Sequence, residues 1–146
     1  MTRLIVAMVM AFAAQAASAQ CSLDIEVGDT LKFSESELSV SSDCESVTLN
    51  LTHTGGMPKN TMGHNWVLAA TGDVNALANA GLAAGLDANY VPAGDARVLA
   101  ATDIIGGGES ASVTFSLENM TPGGDYTFFC SFPGHWAVMK GAFKIV

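Results

Sequence analysis

Ten residues near the end of the chain concentrate its reactive side chains. Cys130-Ser131-Phe132-Pro133-Gly134-His135-Trp136-Ala137-Val138-Met139 carries a thiol, an imidazole and a thioether on one loop bent by proline and glycine. Four residues, then three, separate these donors, and each can offer a lone pair to a soft or borderline metal. Upstream, His64 in Met62-Gly63-His64-Asn65-Trp66 supplies a second imidazole. Two imidazoles, a thiolate and a weak thioether form the ligand set of an electron-transfer copper site. Zinc competes for Cys and His, but it rarely takes a thioether and prefers closed tetrahedral sets. One-electron chemistry at copper needs ligands that barely move between oxidation states, so the loop must be pinned at both ends.

The elements that would pin it read as β-strands. Leu23, Ile25 and Val27 alternate with polar neighbours, as do Leu31 and Phe33, Leu38 and Val40, and Val47, Leu49 and Leu51. Such short alternations between turn residues predict an antiparallel sandwich or barrel. His53 shares the apolar parity of its strand and reads as a hydrogen-bonded core residue. The stretch 54–60 reads as a loop, followed by a strand from His64 through Ala69 with Trp66 in the core. From Asp73, the residues Val74, Leu77, Ala78, Gly81 and Leu82 recur at helical spacing, with Asp73 placed as a cap and Gly81 and Gly85 as weak points. Residues 87–96 read as irregular. Strands resume at 97–100, around Val113, Phe115 and Leu117, and at Tyr126–Cys130, which leads into the donor loop. A last strand, 141–146, closes the domain. Gly106-Gly107-Gly108 is a turn; it lacks the Lys-Ser/Thr pair and following helix of a phosphate loop.

Composition narrows the function. Arg3, the apolar run Leu4–Ala14 and Ala17-Ser18-Ala19 have the order of a secretory signal peptide, with cleavage expected before Gln20. That run is shorter than the roughly 20 residues needed to cross a bilayer, so no membrane insertion is expected. Residues 20–146 suffice for a single domain. The chain has 14 acidic residues against 6 basic ones, a net charge of −8. So acidic a chain disfavours nucleic acid and anionic membrane as partners. Three cysteines are present. In an oxidising compartment, pairing of Cys21 with Cys44 is favoured, which leaves Cys130 either as a ligand or as a small buried hydrophobe.

The segments Asn60-Thr61-Met62-Gly63-His64-Asn65-Trp66-Val67-Leu68 and Phe128-Phe129-Cys130-Ser131-Phe132-Pro133-Gly134-His135, continuing to Met139-Lys140-Gly141, resemble the azurins, which are cupredoxins with a type 1 blue copper site. The resemblance extends from the first cysteine to the C-terminus. It implies an all-β fold, a two-sheet Greek-key β-sandwich with one short helical flap. It also implies a periplasmic location and reversible Cu(I)/Cu(II) electron transfer, with no enzymatic turnover. Carried over position by position, His64, Cys130 and His135 would be equatorial copper ligands. Met139 would be the axial thioether and the Gly63 carbonyl a distant fifth contact. Asn65 would hold the ligand loop by side-chain hydrogen bonds, and the Phe132 N–H would point at the sulfur. Cys21 and Cys44 match the azurin disulfide, and His53 a buried histidine near the site.

For partners the resemblance implies redox proteins such as c-type cytochromes or periplasmic reductases and dehydrogenases, met by the apolar patch of Met57, Met62, Pro133, Gly134 and Ala137 on a protein expected to be a monomer. Trp136 departs from the family's small or polar residue and is expected to cover part of the copper rim. Ala101 stands where a surface histidine occurs in an azurin, so no role of that histidine transfers. A copper storage or delivery protein is the alternative reading. It would favour exposed, exchangeable Met- or His-rich sites. A copper enzyme would need more ligands than three histidines allow.

Overall fold

A computed structural model describes residues 20–146. The signal peptide expected over residues 1–19 lies outside the described residues. In β1 (Ser22–Gly28) the side chains of Leu23, Ile25 and Val27 are buried while Ser22, Asp24 and Glu26 face solvent. The same period of two buries Val47, Leu49, Leu51 and His53 in β4 (Ser46–His53). Each such aliphatic side chain contributes about 2 kcal/mol by leaving water. With β2 (Thr30–Phe33) and β7 (Ser110–Ser116) these strands form a sheet in the order β2-β1-β4-β7.

The facing sheet has five strands. It comprises β3 (Glu37–Val40), β5 (Val67–Ala70), β6 (Ala100–Ala101), β8 (Tyr126–Phe129) and β9 (Lys140–Ile145), in the order β3-β9-β8-β5-β6. Between the sheets, Trp66 packs on Phe115, Phe128 and Phe143, with ring centroids 5.9–6.3 Å apart. Among the described residues its indole Nε1 has no hydrogen-bond partner. The result is the two-sheet β-sandwich with a helical flap that the strand pattern and the resemblance predict. The Cys21–Cys44 disulfide lies where β1 begins.

Several local expectations change. The sheets are not purely antiparallel, because β1 runs parallel to β4 and β3 parallel to β9. Alternation encodes which face of a strand is buried, not the direction of its neighbour. Leu31 does not face the core. It is 42% exposed, beside a register irregularity at Val27/Gly28. The loop after β4 contains a helical turn, α1 (Lys59–Met62). His64 makes only an isolated bridge to Ile105, so the strand starts at Val67. The strand predicted at 97–100 is reduced to β6, paired with Val67 and Leu68.

Helix α2 (Val74–Ala84) buries Val74, Leu77, Ala78 and Gly81, whereas Leu82 is 56% exposed. Asp73 does not cap it by a side-chain bond, because a 3-10 turn over Thr71–Asp73 leads into the helix. Gly85 ends it with φ +79°, a conformation that glycine adopts without a Cβ penalty. Gly81 answers a different demand: a Cβ there would collide with the Tyr90 carbonyl oxygen.

Candidate metal centre

The donor loop is anchored at both ends by the sheet. Cys130 follows directly on β8, Met139 precedes β9, and the Cys130 N–H donates to the Met139 carbonyl at 3.0 Å. Between them the chain turns back on itself: the N–H groups of Val138 and Met139 both donate to the His135 carbonyl. Gly134 makes the bend with φ +81°, in the left-handed region that favours glycine. His64 arrives from the other side, and its backbone exchanges two hydrogen bonds with Ile105.

These supports bring His64, Cys130 and His135 together, with their donor atoms all within 4.8 Å of one another and all three residues buried. The Cys130 sulfur lies 3.8 Å from His64 Nδ1 and 3.6 Å from His135 Nδ1. His64 donates its Nε2–H to the Gly28 carbonyl at 2.9 Å, which leaves the Nδ1 lone pair facing the sulfur. Burial lowers the pKa of His64 to about 4, against an opposite pull from the Gly28 carbonyl, and burial lowers that of His135 as well. Both rings are therefore neutral and able to bind a metal near neutral pH. Burial pushes the Cys130 thiol up to about 12, opposed by the backbone N–H groups of Asn65 and Phe132. A bound cation favours the thiolate and removes that penalty.

Two neutral imidazole Nδ1 atoms and one sulfur converging in a dry pocket suit copper: soft and borderline donors, preset lone pairs, and no carboxylate in the cluster. Met139 is buried at 1% exposure at the end of the same loop. Gly63 is buried beside His64, where a Cβ would collide with the Lys59 carbonyl oxygen and approach Ile104 Cγ2 to 2.7 Å. Only glycine lets the backbone pass there.

Asn65 is fully buried and bonded through its whole amide group. Its Oδ1 accepts the Ser131 N–H at 2.9 Å, and its Nδ2 donates to Ser131 Oγ at 2.8 Å and to the Asn89 carbonyl at 3.0 Å. His53 stacks on His64 with centroids 5.2 Å apart. Its Nδ1 accepts the Gly55 N–H, and its Nε2 meets the Met62 carbonyl, so it is a hydrogen-bonded core residue outside the donor cluster. Of the apolar rim residues, Met57, Gly134 and Ala137 are exposed, while Met62 and Pro133 are half-buried. The observed packing of Trp136 lies away from the donors. It is half-buried and packs on a second apolar cluster of Val67, Ala69, Val74, Leu77, Ala78 and Phe129, between the outer sheet and α2.

Three contributions to the site are not legible in side-chain motifs. Gly28 acts through a carbonyl, which no side-chain motif announces. Asn65 turns its backbone N–H as well as its side chain to the site. Asn89 lies in the stretch 87–96, which reads as irregular, and its left-handed backbone is set by the fold.

The model of copper-binding proteins of the plastocyanin/azurin family matches residues 19–146. The chain belongs to the plastocyanin/azurin family. Within it the similarity is to azurins. Azurin of Bordetella pertussis is 53% identical over 140 residues, covering 96% of this chain and 93% of that protein. Azurin-1 of Alcaligenes xylosoxydans xylosoxydans is 52% identical over 128 residues, covering 88% of this chain and 99% of that one. The solved structure of the azurin Az-iso2 from the methylotroph Methylomonas sp. strain J superposes with a TM-score of 0.84 at 46% identity, covering 88% of this chain and 99% of that chain. The chain is thus a blue copper protein, of a family whose members generally transfer electrons, and its buried cluster of His64, Cys130 and His135 suits one type 1 copper.

Proposed function

We propose that the chain is exported, loses residues 1–19, and shuttles single electrons between redox proteins in the periplasm. In this reading His64, Cys130 and His135 would hold the copper, with the Met139 thioether and the Gly63 carbonyl as weaker contacts. Bound there, copper supplies a one-electron Cu(I)/Cu(II) couple. The observation that carries the proposal is the convergence of three buried donors, within 4.8 Å, from a strand-pinned loop and a distant segment.

The protein's part is to hold that geometry still. Gly28 fixes the His64 ring, Asn65 fixes Ser131 beside the thiolate, and the N–H groups of Asn65 and Phe132 stabilise negative charge on sulfur. The burial of all three donor residues excludes water, so little rearrangement accompanies a change of charge. His135 is 6% exposed and has Pro133, Gly134 and Ala137 as loop neighbours. Its ring edge is the exit for the electron, and the apolar surface of these residues with Met57 and Met62 suits brief contact with a c-type cytochrome or a periplasmic reductase or dehydrogenase. Among the described residues no helix is long and apolar enough to cross a membrane.

The test is a visible spectrum of the protein loaded with Cu(II), beside a Cys130→Ser variant. The expected result is an intense blue thiolate-to-copper band, bleached reversibly by ascorbate and absent from the variant. A pale complex that ascorbate cannot reduce would overturn the electron-carrier reading in favour of copper storage or delivery.

A further inference from the structure

Among the described residues, Asn89 and Tyr90 are the two non-glycine residues with positive φ, at 55° and 53°. Two consecutive left-handed residues are strained, and such strain persists where the surroundings enforce it. Here they do. Asn89 Oδ1 accepts the Ile104 N–H at 2.9 Å, and its Nδ2 donates to Asp103 Oδ1 at 2.8 Å. The Asn89 and Tyr90 N–H groups donate to the carbonyls of Leu86 and Gly85. Gly81, by lacking a Cβ, leaves room for the Tyr90 carbonyl.

This corner reaches the copper centre from three sides. The Asn89 carbonyl accepts from Asn65 Nδ2 at 3.0 Å and has the Ser131 hydroxyl at 3.5 Å, directly beside Cys130. Its side chain holds Ile104, whose neighbour Ile105 bridges the His64 backbone. The Tyr90 ring meets the Phe132 ring edge-on at 5.4 Å, and Phe132 lies against the His135 ring at 4.6 Å. One bend of the flap thus touches the supports of all three donors.

We propose that Asn89 is a positioning residue of the copper centre: its side chain holds its own backbone left-handed, so that its carbonyl fixes Asn65 and Ser131 and, through them, the Cys130 sulfur. The inference rests on the copper reading above, and it acts through the flap rather than through any ligand. Asparagine suits the task for two reasons. It tolerates the left-handed region better than most residues, and its amide provides both the acceptor for Ile104 and the donor for Asp103. Glycine would adopt the backbone angle but supply neither brace.

The test compares Asn89→Gly, Asn89→Asp, and Asn89→Asp combined with Asp103→Asn. Asn89→Asp keeps an oxygen for the Ile104 N–H but loses the donor to Asp103, and the pair rebuilds that second brace with donor and acceptor exchanged. Amide hydrogen exchange of Ser131 is followed in the metal-free protein, relative to amides of β4. Loss of one supporting hydrogen bond predicts a drop in Ser131 protection of about five- to tenfold in the two single variants, and the paired variant restores it. In the copper-loaded proteins the thiolate absorption and the reduction potential move in the single variants and return in the pair. The proposal is overturned if the single variants lose thermal stability while relative Ser131 protection and potential stay unchanged. It is equally overturned if the pair does no better than Asn89→Asp alone. Should Asn89→Gly not fold, the single and paired Asp variants carry the same comparison. Because Ser131 exchange is read without metal, its outcome is independent of whether the loaded protein passes electrons.

Discussion

The Nε2–H of His64 is held by the carbonyl of Gly28 at 2.9 Å, so the last residue of β1 decides which nitrogen of this buried imidazole is free. The neutral ring is thereby built into the fold before any metal arrives, and this has a consequence for pH. His64 ordinarily titrates at 6.5, and burial lowers its pKa to about 4 in the folded chain. Between these values the unfolded chain binds the proton and the folded chain does not, so the metal-free protein loses stability as pH falls from 6.5 through about 4. Asp29 contributes in a lower window. Its carboxylate accepts the Gly56 and Met57 N–H groups, which lowers its pKa below 3.8, so its contribution is complete above 3.8 and lost as pH falls through the folded value. Melting temperature measured against pH should fall through the upper window with or without copper, since a copper-bound ring takes no proton either, and below about 4 the loss from His64 should continue only in the copper-loaded form. Parallel curves would remove His64 from the ligand set.

Replacing Asn65 by Leu should destabilise the metal-free protein by about 2–6 kcal/mol in urea unfolding. The Ser131 N–H and the Asn89 carbonyl would each lose a buried partner, at about 1–3 kcal/mol apiece. Thr114→Ala, which removes an exposed 2.9 Å bond to Thr48, is the control and should stay within about 0.5 kcal/mol. Equal effects at both sites would contradict the role given to Asn65.

Gly81→Ala should destabilise even though alanine favours a helix over glycine by about 1 kcal/mol. The new methyl group has no room against the Tyr90 carbonyl, which belongs to backbone and cannot swing aside. Thermal unfolding checks the sign. A gain in stability would show that the corner at 89–90 yields easily.

The Cys21–Cys44 bridge closes a loop with a sequence separation of 23 residues. Converting both cysteines to Ala should cost about 3 kcal/mol, chiefly through the freed unfolded chain. The blue band should not move, because the seven residues of β1, about 20 Å of strand, separate the bridge from the Gly28 contact to His64. A shifted band would mean that the two ends of the sandwich are coupled.

What the sequence determined by itself was whatever is periodic or chemically rare. Alternation at Leu23, Ile25, Val27 and again at Val47, Leu49, Leu51 specified buried faces, because a strand side chain can only point up or down. The spacing of Cys130, His135 and Met139 on a Pro-Gly loop specified donors, because thiol, imidazole and thioether seldom meet by chance so close together. What only the tertiary structure decided was direction and contact across distance. The parallel pairing of β1 with β4, the outward turn of Leu31 and the packing of Trp136 toward α2 depend on neighbours far away in the chain. So do the two supports of the site that act through carbonyl groups, Gly28 on His64 and Asn89 on Asn65. A carbonyl is common to every residue, so its use leaves no mark in the sequence until the fold brings a donor to it.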